Sequence, residues 1–240
     1  MGVLVSSFRL LYAHLGLGFL AALLFAAGLG TSMPVVRRDV RWLMALPMWV
    51  VRRVLRLIGA GFPPVRVFLV IFCFNTVAIF VYMASGVLIV LPALIAFLTG
   101  LNIGVIVLKA GDMELPSGER PLAETMGSEA EHEVAPWVSL CSLAVLVLEL
   151  PSFWLSVGMG IRMGRELTKA GQYTLANMSA LLGERATAYC AIIIPVLFLS
   201  ALAETAAIRG HVSAQREAPP EDDAGEPPPE GPAEPPSDSG

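Results

Sequence analysis

Positions 67–108 of this chain carry no charged residue, a gap of 42 positions. One straight helix of that length reaches about 63 Å at 1.5 Å per residue, twice the roughly 30 Å of a bilayer's hydrocarbon core. The stretch therefore has to fold back, and Ser85 and Gly86 are the best place to turn. Two spans on a very short connection are predicted, with Pro92 distorting the second. Charge is scarce elsewhere too. Only 15% of the 240 residues are charged and 55% are hydrophobic, against about 25% and roughly 45–50% in soluble domains. The apolar excess is larger than it looks, because the last thirty residues are almost wholly polar. Lipid-buried segments, not one water-soluble core, account for this pattern.

Other absences narrow the function. The three cysteines, Cys73, Cys141 and Cys190, are far apart and inside apolar stretches. They read as small buried hydrophobes, not a disulfide framework or zinc site. The three histidines, His14, His132 and His211, are equally scattered, and no GxSxG, HExxH, Walker A or GxGxxG pattern occurs. No catalytic residue, metal or cofactor is expected, and the chain does not read as an enzyme. The one basic run is interleaved with membrane-grade apolar residues, so nucleic acid is not a predicted partner.

What is present divides the chain into four parts. Residues 1–33 are a first transmembrane helix, apolar over about 10–30. The alternative is a cleaved signal peptide with Arg9 as its charged flank, but the apolar run is long for one. Residues 34–66 form a basic amphipathic segment, with Arg37, Arg38, Arg41, Arg52, Arg53 and Arg56 set among Trp42, Leu46, Trp49 and Ile58. This suits a helix lying in the membrane interface, arginines toward headgroups and Trp/Leu toward acyl chains. Pro47 is expected to break it in two. A soluble helical hairpin packed on the other helices is the alternative. Residues 67–208 are a four-span core with an acidic loop at 109–136 and a polar helical loop at 162–185. Its last two spans cover about 135–161 and 186–208. Residues 209–240, rich in Pro, Glu, Asp and Gly, form a disordered acidic tail that cannot bury enough apolar surface to order itself. That tail is either a solvated, repelling segment or a dock for a basic partner. The fold class is therefore all-α: a polytopic bundle of about five spans with an interfacial amphipathic helix and a disordered tail.

Lys and Arg in short loops stay cytoplasmic. The face holding 34–66, 109–136 and the tail carries 11 of them, against 5 on the other. An outside N-terminus and an inside tail are expected.

Polar groups inside spans are the informative ones, because burying them unpaired is expensive. Glu149 sits near the middle of its span, followed by Leu150 and Pro151. Pro151 is expected to free a backbone carbonyl near residue 147 beside the carboxyl, and a broken helix of this kind builds ion or substrate sites in transporters. The other reading is a protonated acid that hydrogen-bonds a neighbouring helix. Glu204 lies nearer the end of its span and can snorkel. Asn75 and Asn102 are candidates for interhelical amide bonds, with Gly104 permitting close approach.

Several of these residues fall in an ordered pattern. Phe74 and Asn75 precede Gly86, and Leu101, Asn102, Ile103 and Gly104 follow. Then come Leu148, Glu149, Leu150 and Pro151, with Gly158, Gly160, Arg162, Met163 and Gly164 behind them. The last span opens after Gly183, Glu184 and Arg185, and Leu202, Ala203, Glu204 and Thr205 close it. Over about 67–208 the chain resembles the stage II sporulation protein M family of bacterial and archaeal multi-pass membrane proteins. Many members carry a His-Gly pair just before the membrane glutamate. Val145 and Leu146 stand there instead, so no role resting on that histidine carries over. The resemblance implies a scaffold or complex subunit in the bacterial cytoplasmic membrane, possible work in cell-envelope remodelling, and a peptidoglycan hydrolase among its partners. It also implies a distant likeness to permease subunits of ABC-2 type exporters. In that case Glu149 would lie on a polar path and an ATPase would be a separate chain. The bilayer itself, other membrane or envelope proteins and a second copy of the chain are the partners these readings allow.

Overall fold

The computed structural model describes residues 2–59, 61–109, 136–169 and 173–217. They form helices α1 (Gly2–Arg37), α2 (Arg41–Ile58), α3 (Pro64–Ala84), α4 (Leu91–Lys109), α5 (Pro136–Lys169), α6 (Leu175–Ala188) and α7 (Ile194–Glu217). Strands are absent among the described residues. A π turn, Tyr189–Ile193, joins α6 to α7 without a break. Pro195 explains it: having no N–H for the carbonyl four residues back, it lets the helix widen just before it. The Ile194 N–H instead reaches back to Tyr189 O.

Five segments are long and apolar enough to cross a membrane: Leu4–Arg37, Pro64–Leu88, Leu91–Lys109, Trp137–Lys169 and Leu175–Ser213. Within their apolar windows only 17–33% of residues are buried. The rest of that apolar surface, Phe19, Val77, Leu140 and Leu143 among it, faces outward, and only hydrocarbon can cover so much of it at low cost. The chain is a polytopic α-helical membrane bundle.

Contacts fix the direction of each span. Against α5, α1 runs antiparallel: Ala13 meets Arg162, Gly18 meets Gly158, and Phe25 meets Phe153. By contrast α3 runs parallel to α5, pairing Asn75 with Glu149, Tyr82 with Phe153 and Gly86 with Gly160. The last helix, α7, is antiparallel again, with Ser200 beside Glu149 and Gly210 beside Val138. The start of α1, the turn after α3 and the α5–α6 junction therefore share one face, called here the first. The second face holds α2, the end of α4, the start of α5 and the end of α7.

Glycines set the closest approaches. A Cβ on Gly28 would lie 1.9 Å from Phe97 O, and one on Gly100 would lie 2.0 Å from Phe25 O. With Gly104 against Ser32, α1 and α4 touch backbone to backbone along a Gly-x-x-x-Gly stripe, as small residues allow in membranes. The turn after α3 (3-10 helix Ser85–Leu88) presses Gly86 onto Gly160. Phe25, Met83, Phe153, Val157, Met159, Tyr189 and Leu197 fill the space between.

The amphipathic α2 bridges the second face. Met44 packs on Leu101 and Val105 of α4, and Ile58 packs on Val67 and Ile71 of α3. Trp42, Leu46, Trp49 and Leu57 point outward, as do Arg41, Arg52, Arg53 and Arg56. Arg37 and Arg38, at the end of α1, are exposed on the same face.

The prolines depart from expectation. Pro47 does not split α2, which is continuous, and the ring is buried against the bundle. Pro92 does not distort α4, because it sits at the second residue, where no intrahelical N–H is needed. Pro151 does not break α5, which runs unbroken for 34 residues. One lost backbone bond is a small cost in a helix whose remaining bonds have no water competing for them. The polar helical loop expected at 162–185 is helical over 162–169 and 175–185, shared between α5 and α6. Residues 209–217, assigned to the tail on sequence, belong to α7. The remainder of the tail and the acidic loop between α4 and α5 lie outside the described residues.

Candidate functional site

Of the polar residues placed inside spans, Glu149 and Asn75 come together. Both lie about midway along their helices, and α3 and α5 run parallel with these positions level. Asn75 Nδ2 donates to Glu149 Oε1 at 2.7 Å. From α7, the fully buried Ser200 Oγ donates to the same oxygen at 3.0 Å. One carboxyl oxygen thus ties three spans at mid-depth. Both donors are neutral, and among the described residues no Lys or Arg pairs with Glu149.

Glu204 follows Ser200 by one helical turn and is half-buried, near enough to Glu149 for the two acids to interact electrostatically. Pro151 lies two residues beyond Glu149, exposed to the lipid side, and the Ser152 hydroxyl bonds Leu148 O at 2.7 Å. Asn102 stands apart: it is half-buried on α4, and the α1–α4 seam is made by the glycines on either side of it. Among the described residues no three His, Cys, Asp or Glu side chains converge as a metal site.

Two ties were missed on sequence. Ser200 went unremarked because a lone serine in a span costs little and carries no signal of its own. Its i,i+4 relation to Glu204 was the available clue. Tyr189 OH donates to Thr76 O at 2.5 Å, binding the π turn to α3 one residue beyond Asn75.

A second polar group lies at the first face. Glu166 of α5 accepts from Arg162 at 2.9 Å and from Arg185 of α6 at 2.5 Å. Arg162 also donates to Ala13 O of α1 at 3.1 Å. The i,i+4 spacing of Arg162 and Glu166 was legible. The union with Arg185 depends on how α6 folds back.

Five apolar spans, three of them tied at mid-depth by one carboxyl, define an integral membrane helix bundle. No family model, curated protein or solved structure matches the chain.

Proposed function

We propose that the chain is a non-enzymatic subunit or scaffold of a complex in the bacterial cytoplasmic membrane. Its work would be in cell-envelope remodelling, as its resemblance to the stage II sporulation protein M family implies, beside a peptidoglycan hydrolase on a separate chain. The observation that carries the reading is that Glu149 is fastened to two neighbouring spans. Its two donors come from within the bundle, and α5 passes through Pro151 unbroken. A carboxyl used as an internal fastener serves shape, and a membrane protein that holds a shape suits the anchoring of others.

A second reading is favoured by one observation. Glu204 places a second acid one turn from Ser200, close enough to interact electrostatically with the first, and acids within spans mark ion and proton paths. On that reading the chain is a permease-like subunit of an exporter whose ATPase is a separate polypeptide.

Glu149→Gln separates them. The amide keeps an acceptor for Asn75 and Ser200 but carries no charge and releases no proton. A scaffold retains its assembly on native gels and its thermal stability. A path through Glu149 loses flux in reconstituted vesicles while the fold stays intact.

A further inference from the structure

Gly18 of α1 meets Gly158 of α5 where the two antiparallel helices cross. Ten residues before Gly18 stands Phe8, and ten residues after Gly158 stands Thr168. Phe8 is therefore about level with Thr168, and that level is outside the hydrocarbon. It lies nineteen residues past Glu149, about 28 Å at 1.5 Å per residue, whereas half the hydrocarbon core is about 15 Å. Arg162, Arg165, Glu166 and Lys169 occupy this stretch of α5, as charges beyond the hydrocarbon should. The start of α1 and the end of α5 thus project from the first face into headgroups and water.

In that layer α1 exposes apolar side chains that lipid tails do not reach. Phe8 is 61% exposed and Tyr12 is 78% exposed, with Val5 exposed before them. The steps from Val5 to Phe8 to Tyr12 are three and four residues, and they continue into the membrane through Leu15 and Phe19, both exposed. These five are the a and d positions of a heptad repeat, one apolar stripe along the helix. The spacing runs on through Ala22 and Ala26 to Leu29 and Met33, and no charge enters it. A 3.5-residue stripe on a 3.6-residue helix drifts by about 20° per heptad, which a second helix follows by supercoiling. Arg9 stands beside the stripe and not on it. Gly16, with nothing within 4 Å of the Cβ it lacks, leaves room for a close neighbour.

These features select the occupant. A soluble partner helix has to end at the headgroups, yet the stripe crosses them without a step. A stripe free of charge matches itself with no like charges opposed. A second copy fits both points. It sits in the same membrane the same way up, so its α1 is parallel. A two-fold axis along the membrane normal then sets each a and d residue against its own counterpart.

We propose that the chain forms a parallel homodimer through the Val5–Phe19 stripe of α1, packed above the hydrocarbon as well as within it. The inference rests on depth, exposure and spacing, and on neither role argued for the Glu149 node.

The test is cysteine cross-linking of the full chain in the membranes that express it, with Cys73, Cys141 and Cys190 replaced by alanine. Phe8→Cys and Tyr12→Cys should give disulfide-linked dimers under mild oxidation. Ala13→Cys, also exposed but about 100° around the helix from Tyr12, should not. In detergent, Phe8→Glu should raise the dissociation constant of the dimer about thirtyfold, the loss of one interface hot spot, as read by light scattering. Leu175→Glu, exposed on α6, should leave it unchanged. Both sites are on the surface, so both variants should keep their fold, which circular dichroism checks. Should either fail that check, the cross-linking pattern decides alone. Equal cross-linking from all three positions, cross-links to a different chain, no cross-links at all, or a folded Phe8→Glu protein as dimeric as wild type would overturn the proposal.

Discussion

Asn75 on α3 donates to Glu149 on α5 over 2.7 Å, although 74 residues separate them in sequence. Ser200 on α7 completes the contact from the third side. In a bilayer this arrangement does what a hydrophobic core cannot. Lipid tails are as apolar as leucine, so apolar surface alone gives helices little reason to choose one register over another. A polar group at mid-depth does give them one, because sliding a helix by a turn would leave it unpaired in hydrocarbon. The node thus fixes the register of α3, α5 and α7, and the Tyr189–Thr76 bond adds a second point on the same pair of elements.

Glu149→Leu should therefore destabilise the bundle where Glu149→Gln does not. Leucine removes the acceptor and strands the Asn75 amide and the Ser200 hydroxyl together. Interhelical hydrogen bonds in membranes average about 0.6 kcal/mol and reach roughly 1.7, so a loss of about 1–3 kcal/mol is expected from the pair. Thermal unfolding in detergent measures it. Ser200→Ala in the Glu149→Leu background should cost little more, since its partner is already gone. An additive further loss would show that Ser200 acts elsewhere.

Much of this was legible in the chain itself, and what was missed has a pattern. Glu149 and Asn75 stood out because a polar group in a 20-residue apolar run is costly wherever it goes. The turn at Ser85 and Gly86 followed from length alone. What failed was local reasoning about proline. Pro47 and Pro151 signal a break in water, yet α2 and α5 run on, while Pro92, expected to distort its helix, sits at the second residue of α4, where no N–H is missed. Lipid and neighbouring helices remove the water that would compete for the remaining backbone bonds, so one missing N–H does not end a helix. Ser200 and the Arg185–Glu166 pair were illegible for another reason: they exist only once non-local helices meet.

The α1–α4 seam offers a sharper test of packing. Gly100→Ala puts a methyl about where Phe25 O already sits, 2.0 Å away. Backbone, not a flexible side chain, stands in its path. Separation of the two helices should cost about 1–3 kcal/mol or more. Gly30→Ala, with nothing within 4 Å, is the matched control and should be neutral or stabilising by up to about 1 kcal/mol through helix propensity. Comparing their melting temperatures checks both. A harmless Gly100→Ala would mean the helices are not in backbone contact.

At the first face, Arg185→Gln should be costly. Arg185 is buried and shares Glu166 with Arg162. Breaking a fully buried pair costs about 3–5 kcal/mol. Glu166 is 36% exposed, so solvent moderates the loss toward about 2 kcal/mol. Asp39→Asn, which removes the exposed partner of Arg41, should change stability by less than about 0.5 kcal/mol. Urea or thermal unfolding of the two variants in matched detergent distinguishes them. Equal effects would contradict the burial of Arg185.

The placement of α2 can be read optically. Trp42 is 76% exposed and Trp49 is 58% exposed, and both project from the helix that bridges the second face. Indoles of this kind settle at the level of the headgroups, where the ring is apolar and the N–H stays wet. With Trp137 and Trp154 replaced by Phe, fluorescence from the remaining pair should be quenched more by lipids brominated near the headgroup than by lipids brominated near the chain end. Reversing Arg52 and Arg56 to Glu should weaken that quenching in anionic bilayers, because each arginine near such a surface contributes about 1 kcal/mol of attraction. Stronger quenching from the chain end would put α2 in the hydrocarbon. No quenching from either depth would put it in water, and the amphipathic helix would then be a soluble cap on the bundle.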